Sequence, residues 1–219
     1  MPKQQTDGSR PRLFDKIQLA WSTARYVDGI WVGSFRTPSD LRRVEDALSL
    51  IKQYSPLQYS RVTRDLARIW VFVLSDAGAQ YNHSLNACML DERYVTNSTV
   101  ERIASTIVHE ATHARLERLR ITYDEKFRSR IELICLRREL AFVTKLPNAA
   151  ALQDELIRSV EWCGANTEWF SDANFREREK QGEVEALRYV EAPQWFIRVM
   201  PKMRSALSRV RRLYQQSVS

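Results

Sequence analysis

Apolar positions along this chain repeat at helical period over most of its length and at strand period in two short stretches. Between residues 98 and 121, Ile103, Ile107, Ala111 and Ala114 form one stripe, and no Gly or Pro interrupts the run. Ser98 and Glu101 ahead of it match a capping box, so the pattern predicts a helix that starts there. Phe127, Ile131, Ile134, Leu136, Leu140 and Phe142 predict a second helix over 125–143, with no breaker before Pro147 and a turn over 120–124. Nearer the N-terminus, Leu13, Ile17, Ala20 and Trp21 fit a helix over 13–26. Pro38-Ser39-Asp40 opens another that buries Leu41, Val44, Leu48 and Ile51 and ends before Pro56. Arg68–Leu74 and residues 86–95 read as strands, with a turn at Asp76-Ala77-Gly78. Past Pro147, Leu152, Leu156, Ile157 and Val160 predict a helix over 149–163 that stops at Gly164. Residues 165–182 fit a loop over a cleft or a helix, and 183–191 and 194–214 read as helices, broken or kinked at Pro201.

These elements predict an α+β fold, mainly helical, with a small sheet beside the helix over 98–121. The polar residues 1–12 read as a disordered tail, 13–146 as one unit, and 147–219 as a helical subdomain packed on it. A chain of 219 residues suffices for a substantial core.

The helix over 98–121 carries chemistry. His109-Glu110-Ala111-Thr112-His113 is an H-E-x-x-H sequence, and it uses two of the three histidines in the chain. On a helix, residues i and i+4 share a face, so His109 and His113 can offer two imidazole nitrogens to one metal ion. Glu110 beside them is placed to take a proton from a water that the metal activates.

This segment resembles the zincin metallopeptidases, whose motif helix favours uncharged residues around the triplet. Thr106, Ile107, Ala111, Thr112 and Ala114 comply; Arg115 departs, because the family usually has a hydrophobic residue there. The resemblance implies a zincin-like fold and a catalytic Zn2+ with three protein ligands and an open position. Glu132 follows His113 after eighteen residues, a spacing similar to the gluzincin branch, in which a glutamate from a second helix completes a two-His, one-Glu site. Asp124, Glu125 and Glu139 compete with Glu132 for that role, while Glu117 is carried away from the metal by a straight helix. Some gluzincins carry an Asp three or four residues after the glutamate to orient a ligand histidine. Here Cys135 and Leu136 stand at those positions, so the orienting group must come from elsewhere. Cys135 reads as a core residue. The strand before the motif helix, residues 86–95, is implied to form the cleft edge that pairs with extended substrate.

The implied reaction is hydrolysis of peptide bonds in a peptide or protein substrate, with Glu110 as general base. Gluzincins often stabilise the oxyanion with a later Tyr or His. Tyr123, Tyr189 and His83 are candidates, and Tyr189 is favoured by its late position and helical setting.

Composition changes this picture in two ways. Cys88, Cys135 and Cys163 are odd in number and widely spaced, against a disulfide framework or a Cys-type zinc site. No apolar run is long enough to span a bilayer and no hydrophobic leader segment is visible, so the expected location is the cytoplasm. The net charge of +7 comes from 27 Arg and 7 Lys, and no acidic residue follows Glu191. Arg198, Lys202, Arg204, Arg209, Arg211 and Arg212, with Trp195 and Phe196 nearby, form either a solvated basic helix or a patch for an anionic partner. The alternative function is therefore a helical nucleic-acid- or protein-binding protein in which the H-E-x-x-H is structural, vestigial or coincidental.

Overall fold

A computed structural model describes residues 18–35, 38–74 and 77–194. Five strands, β1 (Thr23–Val27), β2 (Ile30–Ser34), β3 (Arg68–Phe72), β4 (Ala79–Asn82) and β5 (Ala87–Asp91), form one sheet in the order β1-β2-β3-β5-β4. The three central strands are parallel, and both edge strands run antiparallel to their neighbours. The helices are α1 (Pro38–Tyr54), α2 (Pro56–Asp65), α3 (Glu92–Asn97), α4 (Val100–Arg118), α5 (Glu125–Val143), α6 (Ala150–Ala165) and α7 (Asp172–Tyr189), with 3-10 turns at His83–Leu85 and Thr167–Phe170. The fold is α+β and mainly helical, as the periodicity predicts. No described helix is long and apolar enough to cross a membrane.

Alternation along the strands builds two clusters. Ile30, Val32, Ile69, Val71, Cys88 and Leu90 join the main core with Leu41, Val44, Leu48 and Ile51 of α1 and Ile103, Ile107, Ala111 and Ala114 of α4. The predicted stripe of the motif helix is thus its buried face. Trp70, Ala87 and Met89 point the other way, into a smaller cluster with Leu74, Leu85 and the partly buried Leu19, Trp31 and Phe72. Phe142, Val143, Leu146 and Leu156 bring α5 and α6 into the main core.

Several boundaries differ from the sequence reading. The helix expected over 13–26 is helical at 18–21 and then gives way to β1, because Asp28-Gly29 forms a two-residue hairpin turn. Both turn residues have positive φ, 46° and 89°, the pattern of a type I′ turn that matches strand twist. The helix opened at Pro38 ends at Tyr54, before Pro56 as expected, and that proline then starts a further helix, α2, that the sequence reading does not include. The strand expected over 86–95 ends at Asp91, whose carboxylate accepts from Arg93 N and Tyr94 N and caps α3. That strand is also not an edge: β4 pairs along its outer side. The cap of the motif helix is Thr99, which accepts from Arg102 N, and not Ser98. The helix over 149–163 runs past Gly164 to Ala165. Of the loop or helix open for residues 165–182, the structure has a 3-10 turn and then helix, and that helix, α7, continues through the one expected from residue 183. The tail over 1–12, the helix over 194–214 beyond its first residue, and the basic residues from Arg198 to Arg212 lie outside the described residues.

Candidate metal centre

The site is made by two neighbouring helices, α4 and α5, joined by a short connection. Arg120 adopts φ 61° just past α4, and Ile121 N donates to Leu116 O, which closes the helix end and turns the chain. At its other end, α4 is fixed by Tyr94 of α3, whose hydroxyl lies 2.6 Å from Thr106 Oγ1, and by Arg43 of α1, which donates to Val95 O and Ser98 O.

Three positions spaced by four on α4 face two carboxylates of α5. Ser105 Oγ donates to Glu139 Oε1, and Glu139 Oε2 lies 3.0 Å from His109 Nδ1. His109 Nε2 lies 3.3 Å from Glu132 Oε2, and His113 Nε2 lies 3.5 Å from Glu132 Oε1. One carboxylate therefore spans both imidazoles. Tyr123 donates its hydroxyl proton to the same Glu132 Oε1, and its ring stands edge-on to that of His113 at 5.5 Å.

The electrostatics follow from this packing. Burial acts most strongly on Glu132 and pushes its pKa up, but the hydrogen bonds and charges of His109 and His113 outweigh it and hold the carboxylate well below its usual range. On His109, burial opposes the charged form, yet Glu132 and Glu139 together push its pKa well above the ordinary value. Burial also pushes Glu110 up, and Glu132 and Glu139 add to it while both histidines oppose. Burial, with the adjacent Glu132 charge, raises the Tyr123 hydroxyl far out of its titrating range.

These donors fit a metal ion. Ligand bonds of about 2.0–2.3 Å around a tetrahedral zinc leave ligand atoms about 3.3–3.8 Å from one another. The two Nε2–carboxylate separations, 3.3 and 3.5 Å, fall in that range and are longer than a well-formed N–H···O bond. Glu139 on Nδ1 leaves His109 Nε2 free to donate its lone pair to a metal. Cys135, fully buried, also belongs here: its Sγ and one ring nitrogen each of His109 and His113 lie within 4.8 Å of one another.

The remaining candidates have other partners. Glu139 lies at Nδ1 of His109, where a carboxylate would orient the ring if Nε2 bound a metal, a position the sequence did not locate. Glu117 pairs with His83, tying the end of β4 to α4. Asp124 accepts from Thr122 Oγ1 at 2.6 Å, and Glu125 accepts from Asp172 N at 2.9 Å. Tyr189, at the end of α7, lies under the Arg93 guanidinium at 4.8 Å, whereas the tyrosine brought to the histidines is Tyr123. A cavity of about 460 Å3 opens between Gly78 at the start of β4, Arg93, and Arg178 and Glu185 of α7; none of His109, Glu110, His113 or Glu132 lines it.

Comparison of the chain with protein-family models, with curated proteins and with solved structures gives no match.

Proposed function

We propose that the chain is a zinc-dependent peptidase of zincin type, with His109, His113 and Glu132 as metal ligands and Glu110 as general base. The observation that carries this reading is the placement of the Glu132 carboxylate against both Nε2 atoms of an H-E-x-x-H helix. When bound, zinc supplies Lewis acidity that polarises a carbonyl and makes water acidic near neutral pH. Glu110 accepts the proton of the attacking water on its carboxylate and passes it to the leaving amine nitrogen. Its burial favours this role, because a raised pKa brings a carboxylate closer to the operating pH of a general acid and base. Glu139 holds the Nδ1 proton of His109, and Tyr123 holds Glu132 and supplies a hydroxyl beside His113. The substrate is a peptide or protein segment. The edge available to extended substrate is β4 rather than residues 86–95, since β4 has a strand neighbour on one side only.

The test is elemental mass spectrometry of the purified full chain, with a peptide-library cleavage assay on the same samples. About one zinc per chain, cleavage by the wild type, and a Glu110→Gln protein that keeps its zinc but loses cleavage are expected. A wild-type protein that takes up no metal when zinc is supplied overturns the reading.

A further inference from the structure

Arg115, the residue that breaks the uncharged pattern of the motif helix, belongs to a second feature of α4. Val108, Ala111, Thr112 and Arg115 form a strip roughly 130° around the helix axis from the histidine pair. That strip lines a narrow cleft with Gln58 and Arg61 of α2 and Arg138 of α5. Arginines from three helices thus line one cleft together with Val62, Val108 and Ala111.

The charges here do not balance. Asp65, a buried carboxylate at the end of α2, takes Arg64 at 2.8 Å, Arg118 at 3.0 Å and Arg115 at 4.0 Å. Arg61 has only the neutral Gln58 Oε1, at 3.1 Å, and Arg138 makes no hydrogen bond or ion pair with any described residue. Asp65 is the one carboxylate among the described residues that pairs with any of these five arginines. The crowding is felt at Arg61. Burial and then Arg138, Arg115 and Arg64 push its pKa down, and Asp65 offsets them in part. Such repulsion is the energy an anion in the cleft would relieve.

We propose that this cleft binds a single phosphoryl oxyanion, as inorganic phosphate or as the phosphate monoester of a small molecule, between Arg61, Arg115 and Arg138. Guanidinium forks match the paired oxygens of a phosphate better than any other cation in proteins. The space enclosed between these side chains is small, about 10 Å3, or room for about one water, so the site takes a phosphoryl group only as the partly exposed arginine side chains move apart around it, and has no room for a run of phosphodiesters. Asp65 does not compete, because its oxygens are taken by Arg64 and Arg118. The ligand ties α2 and α5 to the back of the metal-binding helix, and this inference stands whether or not the peptidase reading does.

The test is the melting temperature of the full chain in inorganic phosphate, and separately in phosphoserine, against chloride at equal ionic strength. High phosphate stabilises most proteins by exclusion from their surface, so the readout is the saturable part of the rise at millimolar concentration. A saturable rise is expected, with a midpoint at least about tenfold higher in Arg138→Gln and in Arg61→Gln, since each removes a charge-assisted contact. Arg138 is exposed and unpaired, so its replacement leaves the fold intact. A rise with both compounds makes free phosphate sufficient; a rise with phosphoserine alone assigns the site to a monoester. No saturable rise with either, or an unchanged midpoint in both variants, overturns the proposal.

Discussion

Glu139 and Glu132 hold opposite sides of one imidazole: Glu139 Oε2 lies 3.0 Å from His109 Nδ1, and Glu132 Oε2 lies 3.3 Å from His109 Nε2. The two carboxylates have different tasks. Glu132 faces Nε2, the nitrogen that would meet the metal in the proposed site, whereas Glu139 lies at Nδ1 and is itself held by Ser105. Loss of such an orienting carboxylate costs about 10–100-fold in metal affinity. Glu139→Ala is therefore expected to weaken zinc binding by about that factor, and Glu139→Gln by less, because an amide oxygen still accepts from Nδ1–H. Competition with a chromophoric chelator measures this. Equal affinity in wild type and Glu139→Ala would remove Glu139 from the centre.

Glu132 and Cys135 lie one turn apart on α5, and both approach the histidines. The oxygens of Glu132 stand 3.3 and 3.5 Å from the two Nε2 atoms, at ligand-to-ligand distance, and the Cys135 sulfur lies within 4.8 Å of a nitrogen of each ring; of the two, the carboxylate is the ligand of the proposed site. Glu132→Ala is expected to lose most of its zinc and Cys135→Ala to retain it. The reverse result, seen in the same elemental analysis, makes Cys135 the third ligand. Cobalt in place of zinc gives a second check, since a thiolate ligand adds a near-ultraviolet charge-transfer band that a carboxylate does not.

The motif helix and its partner were legible because each is long and strongly periodic. The run from Glu125 to Val143 coincides with its apolar pattern, and the stripe from Ile103 to Ala114 is the buried face of α4. The spacing from His113 to Glu132 picked out a carboxylate that the packing of α5 on α4 brings against both imidazoles. The hairpin of β1 and β2 was missed although Asp28-Gly29 is a strong local hairpin signal. Its first strand, Thr-Ala-Arg-Tyr-Val, is mostly exposed and follows helical residues, so the helical pattern over Leu13 to Trp21 was extended too far. β4, Ala-Gln-Tyr-Asn, is only four residues long, and its alternation, with Ala79 and Tyr81 against the core and Gln80 exposed, is too short to stand out, which hid one edge of the sheet. Glu139 and Tyr123 could be placed only by the packing of α5 on α4, since their roles depend on which turn of one helix faces which turn of the other. Cys135 reads as a core residue and is one, packed with Leu116 and Ile131; its closeness to the histidines is a tertiary fact.

Asp65 predicts a stability effect separable from the metal. Its side chain is fully buried, and Arg64, Arg115 and Arg118 reach it from the surface. Deleting one partner of a buried pair costs most when it strands a buried charge. Here the three guanidinium groups remain partly solvated, so the cost is the loss of charged hydrogen bonds, about 1.5–3 kcal/mol for Asp65→Ala. Urea denaturation should show the midpoint falling with an unchanged slope. A change below about 0.5 kcal/mol would mean that the cluster is only a surface contact.

Asp40 sets the opposite sign. It lies in the first turn of α1, is 2% exposed, and its Oδ2 has no hydrogen-bond partner. Burial, and then the nearby Glu92 carboxylate, raise its pKa, with Arg43 opposing. A carboxyl group with a raised native pKa binds protons more readily when folded. Between its unfolded and native pKa values stability therefore falls as pH rises, and the loss is complete once the pH is above the native pKa. The helix dipole favours a negative charge in this turn, by about 0.3–1 kcal/mol. An unpaired buried polar oxygen costs about 1–3 kcal/mol, so burial wins. Asp40→Asn, which removes the charge and keeps the shape, is expected to melt higher than wild type at pH 7. The advantage should shrink as pH is lowered towards the ordinary aspartate range, where the wild-type carboxyl is neutral in both states. Melting curves of the two proteins from pH 4 to pH 8 test this. A wild type that is the more stable at pH 7, or a difference that does not vary with pH, would show that the charge of Asp40 is compensated in the folded chain.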